Sequence, residues 1–94
     1  MIPVRLTKSA GSELEHSAIA YEAVSKGLGI RFVNEVDNIK QTIARSPKLY
    51  QVVYKEYRAA HLKRFPFSVF YTLEDKEAVI HAIFDSRQDP AKRP

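Results

Sequence analysis

The apolar residues of this chain change their spacing near its middle, from a helical spacing to the alternation of a strand. From residue 32 to residue 43 they recur every three or four positions, at Phe32, Val36, Ile39 and Ile43. From residue 65 to residue 73 every second residue is apolar instead, and Pro66, Ser68 and Thr72 lie among the intervening positions. Because a helix repeats about every 3.6 residues and a strand every two, the sequence predicts helices followed by a sheet.

Two helices are predicted before the sheet. The apolar positions of the first helix are Leu14, Ala18, Tyr21 and Val24. Hydroxyl side chains at residues 7–9 or at Ser12 can cap its start, and Gly27 supplies a stop. The second helix follows Gly29 and ends before Pro47, since the residue before a proline disfavours helical geometry. The short link between the two patterns predicts a helical hairpin whose apolar stripes need a common surface.

Four strands are predicted, and they fix the fold class. The strand segments are residues 4–6, 57–62, 65–73 and 78–84. The polar turn at residues 74–77 predicts a hairpin between the last two strands. The order is therefore β-α-α-β-β-β, an α+β fold in which an antiparallel sheet packs one face on the N-terminal helical hairpin and leaves the other face open. The polar, proline-containing segment 88–94 is expected to fray.

Length and composition predict a single domain over residues 1–94. The chain has no Cys, so its core needs no disulfide, and no thiol chemistry is expected. No segment reaches the roughly 20 apolar residues that span a bilayer, and the N-terminus has no apolar run of signal-peptide length. We therefore expect a cytoplasmic protein without a membrane partner. His16, His61 and His81 lack the spacing of metal ligands, so neither a metal nor another cofactor is expected.

The positive charge of the chain is concentrated in one segment. The net charge is +4, and residues 55–73 carry four basic residues against one acidic residue. A basic patch beside a sheet favours a phosphate-bearing or acidic partner. The alternative is that these charges only protect an edge strand from aggregation, which is the common use of charge on an edge strand. For Lys63 the two interpretations are equally supported.

Four short runs occur in an order that resembles a known family. They are Gly-Leu-Gly-Ile-Arg-Phe at 27–32, Tyr-Arg at 57–58, Leu-Lys-Arg-Phe-Pro-Phe at 62–67 and Arg-Gln-Asp-Pro at 87–90. Together they resemble the RelE/ParE toxin superfamily over nearly the whole chain, and most of all its ParE-like, or plasmid-stabilisation, branch. The resemblance implies a growth-arresting toxin of a type II toxin–antitoxin system, bound by a cognate antitoxin in a heterodimer or heterotetramer.

The resemblance offers two targets. RelE-type members resemble ribosome-dependent mRNA endonucleases, whereas ParE-type members are taken to inhibit DNA gyrase without a chemical step of their own. The positions that align with the basic residues of the nuclease are Arg58, Ala60, Ser68 and Arg87, so only two cations remain. The sequence therefore favours gyrase inhibition and leaves an endoribonuclease, or an attenuated member that only binds partners, as alternatives.

The resemblance and the charge pattern assign roles to individual residues. The residues expected to bind the target are Arg58, His61, Lys63, Arg64, Asp85 and Arg87. Those expected to bind the antitoxin are Phe32, Val36, Ile39, Arg58 and Arg64. If the chain is an enzyme, the catalytic candidates are Arg58, Arg64 and Arg87, whose guanidinium groups must then share one surface. Asp85 stands where some members have a His, and an ion pair with Arg87 is the favoured interpretation.

Overall fold

The computed structural model describes all residues, 1–94, and contains two α-helices and a five-stranded sheet. In chain order the elements are β1 (Val4–Leu6), α1 (Lys8–Val24), α2 (Leu28–Arg45), β2 (Val52–Tyr54), β3 (Tyr57–His61), β4 (Phe67–Glu74), β5 (Glu77–Asp85) and a short 3₁₀ helix (Pro90–Lys92). Neither α-helix is long and apolar enough to cross a membrane. The predicted α+β order is confirmed, and β2 is added to it.

The sheet is mixed, with the strand order β1-β5-β4-β3-β2. The strands β3, β4 and β5 are antiparallel neighbours, as predicted. The first strand departs from the wholly antiparallel prediction, because β1 pairs in parallel with β5, with Val4 opposite Ala78. A parallel pair needs a long crossover, and the helical hairpin with β2 to β4 supplies it. The unpredicted β2 is a short edge strand that pairs with β3 through Val52 and Tyr54.

One face of the sheet packs on the helices and forms the main core. The buried residues of α2 are Gly29, Phe32, Val36, Ile39 and Ile43, which include every apolar position of the predicted stripe. They meet buried residues of β3, β4 and β5, among them Tyr71 and Ile80. Helix α1 contributes less, since Ala10 is its only buried residue. Its cap is Thr7, whose Oγ1 accepts a hydrogen bond from the Ala10 N–H at 3.1 Å.

The link between the helices is built around Glu22. Its carboxylate accepts hydrogen bonds from the N–H groups of Gly27, at 2.9 Å, and Gly29, at 3.0 Å, and so satisfies two donors at the start of α2. Gly27 has a φ of +86°, which a residue with a side chain rarely adopts. It lies at the start of α2, whereas α1 ends earlier, at Val24.

The second face of the sheet, here called the outer face, is partly covered by the C-terminal segment. Residues 90–94 form the 3₁₀ helix and its continuation, and Pro90, Arg93 and Pro94 line a cavity together with strand residues. Beneath lies a small cluster of buried apolar side chains, which are Ala59, Phe70, Ala82 and Phe84. The segment that was expected to fray thus lies against this face and covers part of it.

We expect Gly29→Ala to destabilise the fold. A Cβ on Gly29 would lie 2.5 Å from the carbonyl oxygen of Ala18, so the two helices would have to move apart. Overpacking of this kind costs about 1–3 kcal/mol, which should appear as a lower free energy of unfolding in urea. Gly11→Ala is the matched control, because no atom lies within 4 Å of its Cβ position; it should stabilise the helix by about 0.5–1 kcal/mol. Equal effects of the two substitutions would contradict the close packing at Gly29.

Candidate functional site

Five of the six residues predicted to bind the target lie at one end of the sheet. Both β3 and β5 run antiparallel to β4, so their carboxyl ends meet its amino end, with His61 opposite Ser68 and Asp85 opposite Phe67. We call this region the basic end; its residues are His61, Lys63, Arg64, Asp85 and Arg87. The sheet topology therefore brings together residues that are up to 26 positions apart in the sequence.

The loop between β3 and β4 is held in place by a carboxylate of α2. Glu35 Oε1 accepts hydrogen bonds from the backbone N–H groups of Lys63 and Arg64, the latter at 3.1 Å. The neighbouring Leu62 and Phe65 are buried in the core. The backbone of the loop is thus fixed from both sides, while the side chains of Lys63 and Arg64 are exposed and form no ion pair. These two cations are presented to solvent on a fixed support.

Asp85 and Arg87 form a two-point ion pair. The Arg87 guanidinium donates from Nε to Asp85 Oδ1 at 3.0 Å and from Nη2 to Oδ2 at 2.8 Å, and the Arg87 backbone N–H donates to Oδ1 as well. The hydrogen bonds from the guanidinium lower the pKa of the Asp85 carboxyl, although its burial acts in the opposite direction. The ion-pair interpretation of Asp85 is confirmed. Part of the charge of Arg87 is therefore already neutralised within the chain.

Arg58 lies at the other end of β3 and has a structural role. Its Nη1 donates hydrogen bonds to the carbonyl oxygens of Lys48, at 3.3 Å, and Tyr50, at 2.7 Å. It pairs across the strands with Tyr71, whose hydroxyl donates to the Pro47 carbonyl at 2.8 Å. Both side chains therefore hold the segment between α2 and β2. The requirement that Arg58, Arg64 and Arg87 share one surface is not met, because Arg58 is separated from the basic end along β3.

Burial of Tyr71 supports this structural assignment. Burial raises the pKa of Tyr71 to about 12, although the nearby Arg58 guanidinium acts in the opposite direction. Tyr71 is among the largest fully buried side chains of the chain. It is a core residue that stays protonated at neutral pH, and it offers no acid or base to a reaction at the surface.

The apolar residues predicted to bind the antitoxin are buried instead. Phe32 and Val36 are fully buried and Ile39 is 7% exposed, because their side chains pack against the sheet. The structure corrects this part of the prediction. Other apolar side chains of the helices are exposed: Ile19 of α1 is 60% exposed and Ile30 of α2 is 65% exposed. Together with Ala18, Glu22, Gly29 and Val33 they line a groove of about 300 Å³, here called the helical groove.

A hydrogen-bonded cluster on the outer face was missed by the sequence analysis. His61 Nδ1 lies 2.6 Å from Ser68 Oγ, and Ser68 Oγ lies 3.4 Å from Ser86 Oγ. Ser68 is only 3% exposed, whereas His61 and Ser86 are exposed, so the cluster lies at the boundary between the buried part of this face and solvent. The alternation of each strand could have placed these residues on one face, but the pairing of His61 with Ser68 requires the strand register. Sequence spacing alone does not fix that register.

The remaining histidine of the sheet is satisfied within the fold. His81 Nε2 lies 2.8 Å from Thr72 Oγ1, and its ring contacts Tyr57 edge to face at a centroid distance of 5.3 Å. This agrees with the interpretation of His81 as a satisfied sheet residue. No group of three or more His, Asp and Glu side chains lies close enough together to hold a metal ion.

We expect Asp85→Asn to remove a pH-dependent part of the stability. A carboxyl whose pKa is lowered in the folded state stabilises the fold above its unfolded-state pKa of about 3.9, and this contribution is lost as the pH falls through the lower folded-state value. The difference in unfolding free energy between the protein and the variant should therefore be present at neutral pH and disappear in acid. Urea unfolding at a series of pH values measures it. Asp75→Asn, in an exposed turn, is the control, and a pH dependence of similar size in that variant would contradict the role of Asp85.

Comparison with solved structures finds the same fold elsewhere. A chain of the chromosomal ParDE TA system from P. aeruginosa matches with a TM-score of 0.76 and 20% sequence identity, over 90% of this chain and 96% of that one. The solution structure of the conserved hypothetical protein HP0894 from Helicobacter pylori matches with a TM-score of 0.53 and 13% identity, over 88% of this chain and 92% of that one. Neither a family model nor a curated protein sequence matches the chain. The fold expected from the resemblance to the RelE/ParE superfamily is thereby confirmed.

Proposed function

We propose that this chain is the toxin of a type II toxin–antitoxin system, that it is ParE-like and arrests growth by inhibiting DNA gyrase, and that a cognate antitoxin neutralises it. The observation that carries the proposal is the shared fold with a chain of the ParDE system, which extends over nearly the full length of both chains. The ordered sequence runs that resemble the ParE-like branch support it independently. The location that fits this function is the cytoplasm, where its target and antitoxin reside.

The helical groove is the surface that best fits the antitoxin. Ile19 and Ile30 line this groove, lie on adjacent helices and are largely exposed to water. Exposed apolar side chains that adjoin one another are typical of a binding surface. An amphipathic helix of the partner can bury both, in the same way that helical peptides bind apolar grooves in general. The edge strand β2 offers a second apolar surface, since Val52, Val53 and Tyr54 are all about half exposed. An extended segment of the antitoxin can pair with this open edge.

The basic end is the surface proposed to meet the target. Lys63 and Arg64 project from a fixed loop without ion-pair partners, and charge complementarity with an acidic surface speeds and orients association. An acidic segment of the antitoxin that covers these cations would compete with the target. Neutralisation then needs no change in the toxin fold.

The charges of the chain favour inhibition over ribonuclease chemistry. A nuclease of the RelE type needs several cations around the scissile phosphate. Here Arg58 is engaged by backbone carbonyls, Arg87 is paired with Asp85, and Ala60 is an uncharged core residue. Only His61, Lys63 and Arg64 remain for such chemistry. Cleavage of mRNA on the ribosome is therefore the alternative outcome of the functional test.

We expect the double substitution Lys63→Ala and Arg64→Ala to abolish growth arrest without unfolding the protein. Both side chains are exposed, so the fold should lose no more than about 0.5 kcal/mol per substitution. Induction in cells, a gyrase supercoiling assay with purified protein, and primer extension on translated messages measure the result. Inhibited supercoiling with intact messages supports the proposal, whereas cuts at codon positions would replace it with the ribonuclease. Growth unaffected by the wild-type chain would indicate an attenuated member.

We expect Ile30→Asp to weaken antitoxin binding by at least tenfold. A buried Ile contributes about 1.5–3 kcal/mol, and each 1.4 kcal/mol corresponds to about a factor of ten in affinity. Titration calorimetry against an antitoxin identified by co-purification with this chain measures the change. Val24→Asp is the matched control, because Val24 is 77% exposed on α1 but does not line the groove. Wild-type affinity in the Ile30 variant would rule out the helical groove as the antitoxin site.

A further inference from the structure

The β2 edge of the sheet is an exposed surface without the usual protection of an edge strand. Its three residues, Val52, Val53 and Tyr54, are all about half exposed, and Leu49 shortly before them is exposed as well. The six residues 49–54 include no charged residue, no Pro and no Gly. Edge strands of monomeric proteins normally carry charge or proline, which prevents pairing with another chain. An uncharged run of residues that favour strands is instead prone to such pairing.

The opposite edge of the sheet has the protection that β2 lacks. Strand β1 carries Arg5, an exposed cation that is paired with Glu77. Beyond the end of β1, a side chain of α1 covers the backbone of β5, since Glu13 Oε1 accepts a hydrogen bond from the Ile83 N–H at 3.0 Å. Charges and covering side chains are common means of keeping an edge unpaired. The β2 edge is therefore the more open of the two.

One residue of β2 presents its backbone to solvent. The Gln51 carbonyl accepts a hydrogen bond from the Ala59 N–H at 3.2 Å, so the backbone of Gln51 faces β3. Because successive residues of a strand direct their backbone groups to opposite sides, the N–H and C=O of Val52 face away from the sheet. The register shifts between Val52 and Tyr54, so regular pairing with a further strand is centred on Val52.

Opposite charges lie at equal distances along the chain on either side of Val52. Lys48 and Glu56 are each four positions from it, and both lie in exposed turns. Neither forms an ion pair within the chain. In an antiparallel pair with two-fold symmetry about Val52, residue 48 of one copy corresponds to residue 56 of the other. The symmetry thus brings a cation toward an anion twice, and opposite charges across a strand pair are stabilising.

We propose that two copies of this chain associate through their β2 edges, in an antiparallel pair centred on Val52. Each Val52 N–H donates to the Val52 carbonyl of the other copy. Assembly stops at a dimer, because a two-fold pair uses the β2 edge of both copies. Few residues of each chain take part, so the dimer belongs with the small interfaces that form and dissociate with concentration.

The dimer and the antitoxin compete in this arrangement. The proposed function places an extended antitoxin segment at the same β2 edge, so a copy of the chain and that segment exclude each other. Self-association is a property of the free chain and does not rest on the proposed function. It is therefore tested on the purified full-length chain without an antitoxin.

Sedimentation equilibrium over a range of concentrations tests the proposal. We expect the average mass to rise from that of one chain toward that of two as the concentration approaches about 1 mM, as mass action requires. Hydrogen exchange followed by NMR should show greater protection of the Val52 N–H over the same range. A chain that stays monomeric throughout overturns the proposal and leaves the edge to an antitoxin. Assembly beyond the dimer overturns it as well, since a two-fold pair is closed.

A charge reversal tests the symmetry of the pair. Lys48→Glu brings two carboxylates together at both contacts and should raise the dimer Kd by about tenfold. Adding Glu56→Lys in the same chain restores opposite charges and should restore dimerisation. Lys26→Glu, in the exposed link between the helices, makes the same change of charge away from the edge and should have no effect. Equal effects of Lys48→Glu and Lys26→Glu, or no recovery in the double variant, overturn the pairing about Val52.

Val52→Pro tests the backbone part of the contact. The substitution removes an N–H that faces solvent in the monomer, where an edge strand tolerates proline, so the fold should be retained by circular dichroism. Both copies lose their donor, so the dimer should be absent over the same concentration range. Unchanged dimerisation of a folded Val52→Pro variant overturns the proposal. If this variant does not fold, the charge reversal at Lys48 decides.

Discussion

Four aromatic rings link the two helices to the sheet and to the loop that carries the free cations. Tyr21 of α1 contacts Phe32 of α2 at a centroid distance of 5.3 Å, and Phe32 contacts Phe65 at 5.1 Å and Phe67 at 4.9 Å. Tyr21 also contacts Phe65 edge to face at 4.8 Å. Such tilted and edge-to-face pairs add directional packing to the area that they bury. The position of Phe65, and with it the loop between β3 and β4, therefore depends on this cluster.

The same helix supplies the polar half of that support. Glu35 follows Phe32 by three positions on α2, so both side chains lie on neighbouring parts of the helix surface. Phe32 packs beneath the loop, and Glu35 accepts the N–H groups of Lys63 and Arg64. A loop held in this way loses little conformational entropy when a partner binds. The cost that remains is mainly the ordering of the two long basic side chains.

The net charge of the chain does not show which cations are available to a partner. Three arginines are already engaged within the fold. Arg5 is paired with Glu77, Arg58 donates to backbone carbonyls, and Arg87 is paired with Asp85. Lys63 and Arg64, by contrast, bind nothing through their side chains. The sequence predicted the two helices, four of the five strands and their order along the chain, because these follow from local residue patterns. It did not predict that Arg58 is structural, since the carbonyls that Arg58 binds belong to an irregular segment whose backbone path depends on tertiary packing. The parallel pairing of β1 and the contact of His61 with Ser68 depend on long-range register in the same way.

The close approach of the helices also creates the proposed partner surface. Gly29 lies against the Ala18 carbonyl, and the next residues along the two helices are Ile30 and Ile19. Both Ile side chains are exposed and line the helical groove together with Ala18 and Gly29. The absence of a side chain at Gly29 thus allows the helices to pack closely at the place where this apolar pair is exposed. Folding and binding therefore depend on different residues here. Gly29 affects folding, because it sets the distance between the helices, whereas the exposed Ile30 side chain is outside the core and is available for binding.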